Sequence, residues 1–460
     1  MLNYIWLALV LFAVAIGGLT GHLKEVTDGA FDGARTAVTI ALGLIGIMAL
    51  WLGVMRLAER AGLIQKLARG LRPLMRRLFP GVPNDHPAMG SMLMNMAANM
   101  LGLGNAATPL GLRAMRDLET LNPHPGTATN AMCTFLAINT SSVQLIPTTA
   151  IAILVAAGST NPTAIVGTAL LATLCAATVA ITSVKLLEKV PLFRVRADRV
   201  VAGIGDPGLG ESTSDGSNVQ DPNRASSDPA GISDPGSHRR LRPWGKAILL
   251  LLVFFFVALF VRQIFPEALG LPSGPIPPAP GYFGRSVSAL SLLAIPMLLS
   301  FFVLYAALSG LKVYDEFVEG AKEGFGVILK IIPFLVTMLV AIGMFKGAGG
   351  IDLLARALAP VLTPLHFPAD LLPIALMRPL SGGATLALFT DVVHRLGPDN
   401  TVSLMAATIY GSTETTFYVA AVYFGSVGVK QTRHAIPAGL LADLTGVVAS
   451  VIICRAVLGA

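Results

Sequence analysis

Glu414 is the acid that asks for an explanation. It stands in Tyr410–Phe424, YGSTETTFYVAAVYF, where a glycine, a cluster of hydroxyls and one carboxylate interrupt an apolar run. A charge at bilayer depth costs at least ~2.5 kcal/mol, so an acid kept there points to function. Ser412 is expected to cap a helix starting after Gly411, with Glu414 in the first turn, where the helix dipole favours a carboxylate. Desolvation favours the neutral acid, which makes Glu414 the candidate for proton coupling. Thr413, Thr415 and Thr416 add hydroxyl ligands. An earlier stretch, Ala137–Ile153, AINTSSVQLIPTTAIAI, has the same make-up. Asn139, Thr140, Ser141, Ser142 and Gln144 there offer neutral donors and acceptors for a polar solute. Laying Asn139–Ser142 on Gly411–Glu414 brings the flanking apolar runs into step. Two interrupted apolar segments at matching places in two halves mark a transporter-type binding site.

Other candidates lie at further interruptions. Asn95 and Asn99 share one helix face, four residues apart, and Asn105 follows the break at Gly102 and Gly104. Arg378 and Ser381 stand in RPLSGG, where Arg378 is placed to pair with Glu414 or to bind an anionic group of the solute. Interrupted helices free backbone amides and carbonyls, which must line a cavity or be buried in protein. The bland alternatives are hydroxyls that only pack helices and a static Arg378–Glu414 ion pair, while Asp391, Asp443 and Arg113 read as either functional or structural. Cys133, Cys175 and Cys454 have neither disulfide nor zinc spacing, and no metal or cofactor is expected. Enzyme motifs such as H-E-x-x-H, G-x-S-x-G and the P-loop are missing from the sequence, so it does not read as an enzyme.

The elements that must hold these residues are apolar helices. Of 460 residues, 54% are hydrophobic and 13% charged, against about 25% charged in soluble domains. The expected fold is all-α and polytopic in a membrane. Spans are expected at 3–20, 36–55, 161–187, 246–263, 286–308, 327–345 and 436–457. Interrupted segments fall at 87–104, 127–157, 368–396 and 400–427. Residues 21–35, 56–77, 312–324 and 350–365 read as amphipathic helices at the interface. No basic residue precedes the apolar run at 4–20, so it reads as a retained helix rather than a signal peptide. His124, His366 and His434 sit at segment ends as interfacial residues. The net charge of +7 gathers at 56–77 and on both flanks of 194–243, a Pro/Ser/Gly/Asp-rich stretch read as a disordered linker. That pattern indicates cytoplasmic loops, not nucleic-acid binding.

The order of elements repeats. Gly29-Ala30 matches Gly320-Ala321, Pro73 matches Pro360, and Phe79-Pro80 matches Phe367-Pro368. Counting crossings sends 36–55 outside to inside and 327–345 inside to outside. The two halves are thus expected to be inverted-topology repeats, as in many secondary transporters.

MNMAANMLGLGNAATPLGLRAM and ATNAMCTFLAINTSSVQLIPTT resemble the spore maturation protein A family. LMRPLSGG, GSTETTFYVAAVYFGSVGVKQTRHA and GLLADLTGVVAS resemble the spore maturation protein B family. The chain looks like a fusion of the two: 1–193 similar to A, 194–243 a linker, 244–460 similar to B. The resemblance places it in the nucleoside-recognition or Gate group, with concentrative nucleoside transporters and the membrane part of ferrous iron transporter B. It implies two Gate-type repeats in a multi-pass protein of the bacterial inner membrane with a solute-translocating or gating role. The competing class is a scaffold or accessory subunit in envelope assembly. Expected partners are membrane lipid, an unidentified small polar solute and, as an open alternative to a monomer, further copies in a homo-oligomer.

Overall fold

A computed structural model describes residues 2–102, 104–193, 243–265, 281–350, 353, 356 and 367–458. Residues 194–242 of the expected linker, most of 350–365 and His366 lie outside them. The described regular structure is helical, apart from one isolated bridge between Thr127 and Gln431. In chain order the helices are α1 (Leu2–Thr20), α2 (Leu23–Arg60), α3 (Leu63–Leu78), α4 (Pro87–Met100), α5 (Gly104–Glu119), α6 (Asn130–Ser141), α7 (Thr148–Ala156) and α8 (Ile165–Leu187). There follow α9 (Pro243–Ile264), α10 (Gly281–Leu308), α11 (Val313–Gly347), α12 (Leu372–Met377), α13 (Gly382–Leu396), α14 (Thr401–Ser412), α15 (Thr416–Gly425) and α16 (Ala435–Leu458). Five of the described helices, α2, α8, α9, α10 and α16, are long and apolar enough to cross a membrane.

The expected interfacial helices 21–35 and 312–324 are not separate elements. Each continues into the span that follows, giving α2 with 38 residues and α11 with 35. No proline breaks either junction, and the glycines there serve packing. At 1.5 Å per residue α2 is ~57 Å long, well beyond the ~30 Å hydrocarbon layer, so it must tilt or protrude.

α2 and α11 form the seam between the halves. A methyl group added at Gly29 would strike the Gly343 backbone, and one at Gly33 the Leu339 carbonyl. Farther along, Gly324 lies against Met48 and Ala49, and Gly320 against Leu52 and Gly53. One partner's number rises as the other's falls, so the helices run antiparallel. Moving both partners by the spacing that carries Gly29 onto Gly320 turns Gly29–Gly343 into Gly320–Leu52, and Gly33–Leu339 into Gly324–Met48. The same shift turns the Glu25–Gly347 contact into Glu316 against Arg56, where an ion pair forms at 3.1 Å. A contact that maps onto itself under exchange of the halves is isologous, as across a two-fold axis. The repeats are therefore inverted. Small residues let the backbones approach, the means by which helices associate in lipid.

The remaining helices follow the same symmetry. α4 and α5 pack as a hairpin closed by Ser91 Oγ donating to Asp117 (2.5 Å) and by a Thr120–His86 bond (3.3 Å). It enters from the end where Arg60, Lys66, Arg69, Arg72, Arg76 and Arg77 gather, called here the basic end. α12 and α13 form the matching hairpin from the opposite end, closed by Arg395 on Asp370 at 3.0 Å. Each hairpin starts and returns at the same end. The pairs α6/α7 and α14/α15 instead run from end to end, each with an unwound middle.

Two clasps join the halves at the ends. At the basic end, the amides of Lys430 and Gln431 donate to Gly126 O (2.9 and 3.0 Å), and Arg433 Nη1 to Ala128 O (3.0 Å) and Asn130 Oδ1 (2.7 Å). At the opposite end, Asp399 accepts from Ser159 Oγ (2.5 Å), Thr160 N (3.0 Å) and Thr160 Oγ1 (2.7 Å). Each clasp ties the loop before one half's broken helix to the loop after the other's. His434, beside the Arg433 clasp, is wholly buried, with neither ring nitrogen hydrogen-bonded.

Candidate functional site

Four interruptions meet midway between the ends. In the first half, Leu145 N donates to Met100 O at 3.0 Å, tying the α6–α7 break to the turn of the first hairpin. In the second, Phe417 N donates to Pro379 O at 3.0 Å, the same bond in the matching place. The two breaks touch directly: Glu414 N donates to Thr140 O at 2.6 Å, and Gln144 Nε2 to Glu414 Oε1 at 3.3 Å. Gly411 sits against Pro147, where a Cβ would clash.

The helices break where their residues stop supporting them. Ser142 ends α6 with φ 31°, a left-handed value costly for a residue with a Cβ, and Pro147 precedes α7. α14 runs through Ser412, and Thr413 is already extended. Ser412 is thus not the expected cap. Its Oγ donates back to Ile409 O at 3.0 Å, and Thr415 takes the position before α15 without a side-chain cap. Glu414 lies in the unwound link rather than in a first helical turn.

One polar network crosses the halves. Asn99 Nδ2 donates to Asn139 Oδ1 (2.9 Å), and Asn139 Nδ2 to Phe135 O (2.9 Å). Tyr423 OH reaches Asn139 Oδ1 (3.4 Å) and accepts from Asn95 Nδ2 (3.3 Å), which also donates to Ala107 O (2.8 Å). Tyr423 also seats its hydroxyl over Gly111, where no Cβ would fit. On the other side, Thr416 Oγ1 donates to Asp443 Oδ2 at 2.6 Å, and Arg378 lies 5.0 Å over the Tyr410 ring.

The structure brings together nearly all the expected residues and separates their tasks. Ser141 Oγ bonds Ile138 O, and Ser381 Oγ accepts from Ala384 N as the cap of α13, so both hydroxyls serve the backbone, as does that of Ser412. Thr173, not foreseen, donates to the carbonyls of Ser141 and Ser142 (2.8 and 3.1 Å) and holds the break. Asn105's side chain lies outside the described residues. Of the two roles read for Arg378, pairing with Glu414 is not formed: Arg378 takes an aromatic face, and Glu414 turns to Gln144.

Among the described buried side chains, eleven N or O atoms lack a hydrogen-bond partner. Six of these belong to this site: Asn95 Oδ1, Thr140 Oγ1, Ser142 Oγ, Arg378 Nε, Thr415 Oγ1 and Asp443 Oδ1. Buried polar groups are otherwise nearly always bonded, since each orphan costs ~1–3 kcal/mol. Tyr423 was not foreseen. Asp443, an acid within an apolar 24-residue helix, reads from the sequence as either functional or structural, and it lies beside the break, accepting from Thr416. A separate cleft of about 610 Å³ opens at the basic end, lined by Asn122, His124, Asn130, Glu188 and Arg433 among others.

Against known proteins, the Gate family, described as nucleoside recognition, matches residues 41–159 and 328–430. Both matches begin inside a long seam helix and end beyond a broken one. The chain is 47% identical to spore maturation protein A of Bacillus subtilis (strain 168) over 174 residues, 38% of this chain and 89% of that protein. It is 44% identical to spore maturation protein B of the same organism over 173 residues, 38% of this chain and 97% of that protein. With two inverted halves of Gate type, relatives of this closeness place the chain in the spore maturation protein A and B family of multi-pass, nucleoside-recognition-type membrane proteins.

Proposed function

We propose that the chain is a secondary transporter or permease for a small polar solute, held where the two broken helices and the two hairpin turns meet. The observation that carries this reading is the gathering of unpartnered buried donors and acceptors at that point. They are drawn from both halves and suit a ligand rich in hydrogen-bonding groups. The inverted architecture supports alternating exposure of such a site. The charge bias puts the basic end in the cytoplasm of a bacterial inner membrane, with the cleft beside Arg433 as an approach from that side. Residues 1–193 and 244–460 act as the two transport halves, Glu414 is the proton-coupling acid, and the chain catalyses no reaction.

The test is uptake or counterflow by the purified full chain in liposomes, across a panel of labelled polar solutes that includes nucleosides. Glu414→Gln should lower uptake by at least about tenfold with abundance and thermal unfolding unchanged. The relatives' names speak of spore maturation and of no solute, which favours a second reading as an accessory subunit in envelope assembly. A chain that moves no solute, and whose Glu414→Gln variant supports growth and envelope integrity as the parent does, fits that second reading.

A further inference from the structure

Asp443 is one of the unpartnered groups at this site, and its surroundings assign it a ligand of its own. Asp443 stands midway along α16 and is 3% exposed. Oδ2 accepts from Thr416 at 2.6 Å, whereas Oδ1 has no donor. α16 presents Gly439, Asp443 and Gly446 on one face, at i, i+4 and i+7. The two glycines let the chain break come close: Gly439 lies against Thr416 and Thr140, and Gly446 against Thr413 and Ser412. Asp443 therefore faces the middle of the unwound link.

That link is also where α14 ends. The last four carbonyls of a helix have no intrahelical donor. Ile409 O is satisfied by Ser412 Oγ. No described backbone N–H donates to the carbonyls of Tyr410, Gly411 or Ser412 outside the helix, and Thr413 is extended instead of closing a final turn. The place thus joins a buried carboxylate oxygen without a donor, the negative end of a helix dipole, and hydroxyls from Thr413 and Thr416. Thr140 and Thr415, beside them, keep unbonded hydroxyl oxygens. Every group is a hard oxygen, the donor set of alkali and alkaline-earth cations.

Charge selects between those. The ionisable groups at the breaks are Glu414, Asp443 and Arg378, leaving formally one negative charge. A divalent ion would overshoot it, and such ions recruit several carboxylates. We infer that Asp443, with the end of α14 and the Thr413–Thr416 hydroxyls, holds one small monovalent cation. Resting on the transport reading, this makes that ion a partner of solute movement at a place separate from the Gln144–Glu414 contact.

The test needs no solute. Thermal unfolding of the full chain in detergent is followed in choline chloride and in sodium, lithium or potassium chloride, at fixed pH and ionic strength. One alkali ion should raise Tm saturably above choline, and Asp443→Asn should abolish that rise. If Asp443→Asn does not fold, Thr416→Val, which removes one hydroxyl ligand, should raise the half-saturating ion concentration roughly tenfold. The inference is overturned if no alkali ion stabilises the parent beyond choline, if Asp443→Asn keeps the full rise, or if Tm responds to pH alone. Ion stabilisation without uptake of any solute would keep the cation site and remove the transport reading; uptake without it would do the reverse.

Discussion

The backbone N–H of Glu414 donates to the carbonyl of Thr140 at 2.6 Å, joining the two chain breaks across the halves. Gly439 on α16 lies directly against Thr140 and Thr416 on either side of this bond. Gly439→Val should force them apart and lower stability by ~1–3 kcal/mol, the usual cost of overpacking. Thermal unfolding checks this against Gly425→Ala, which enters open space.

Tyr423 spans Asn95 and Asn139, residues on different elements of the first half. Tyr423→Phe keeps the ring stacked on Phe135 but removes the bridge. It should cost ~1–2 kcal/mol through lost and orphaned hydrogen bonds. If transport is established, it should also weaken half-saturation for solute more than it lowers maximal rate, read from uptake against concentration.

The seam makes a directional prediction. Arg56→Glu should loosen the crossing by ~0.5–1 kcal/mol through loss of the 3.1 Å pair with Glu316. Adding Glu316→Arg should restore most of that loss, because the antiparallel seam brings these two residues together. Thermal unfolding of the two single variants and the double variant reports the outcome, and no rescue in the double variant would mean the helices do not cross in this register.

Acid should loosen the clasps in two windows. Burial pushes His434 down to about 4, and the charge of Arg433 adds to this. The unfolded chain then binds a proton that the folded chain refuses, so stability falls as pH drops from about 6.5 to about 4. The loss should be on the order of 3 kcal/mol, and His434→Gln should flatten it. Asp399 belongs to a lower window. Burial alone would raise it, but the bonds from Ser159 and Thr160 outweigh burial and hold it below the usual carboxylate range. Its contribution is complete above about 3.9 and fades as pH falls through its lowered value. Asp399→Asn should therefore change the acid limb only below that point, as read by unfolding across a pH series.

The breaks were legible because polar residues stand out within apolar runs, and the repeat was legible because glycines recur where backbones must touch. What sequence could not supply was partners. Ser412 looked like a cap, yet α14 continues through Gly411, which is pressed on Pro147, and breaks only at Thr413. Arg378 and Glu414 looked like a pair, yet each has a partner elsewhere: the Tyr410 ring for one, Gln144 for the other. Tyr423 lies 328 residues from Asn95, and no local period announces such a contact. The long seam helices were divided in two because their polar openings resemble surface helices. They are instead opposite ends of one antiparallel crossing, closed by Arg56 on Glu316.

A glycine-lined crossing that is its own mirror under exchange of partners does not depend on the peptide strand between them. Severing the backbone anywhere from 194 to 242 would leave two fragments with matching, uncovered flanks. Co-expressed, they should find each other and rebuild the whole, whereas either fragment alone would present its bare groove to lipid or to a second copy of itself.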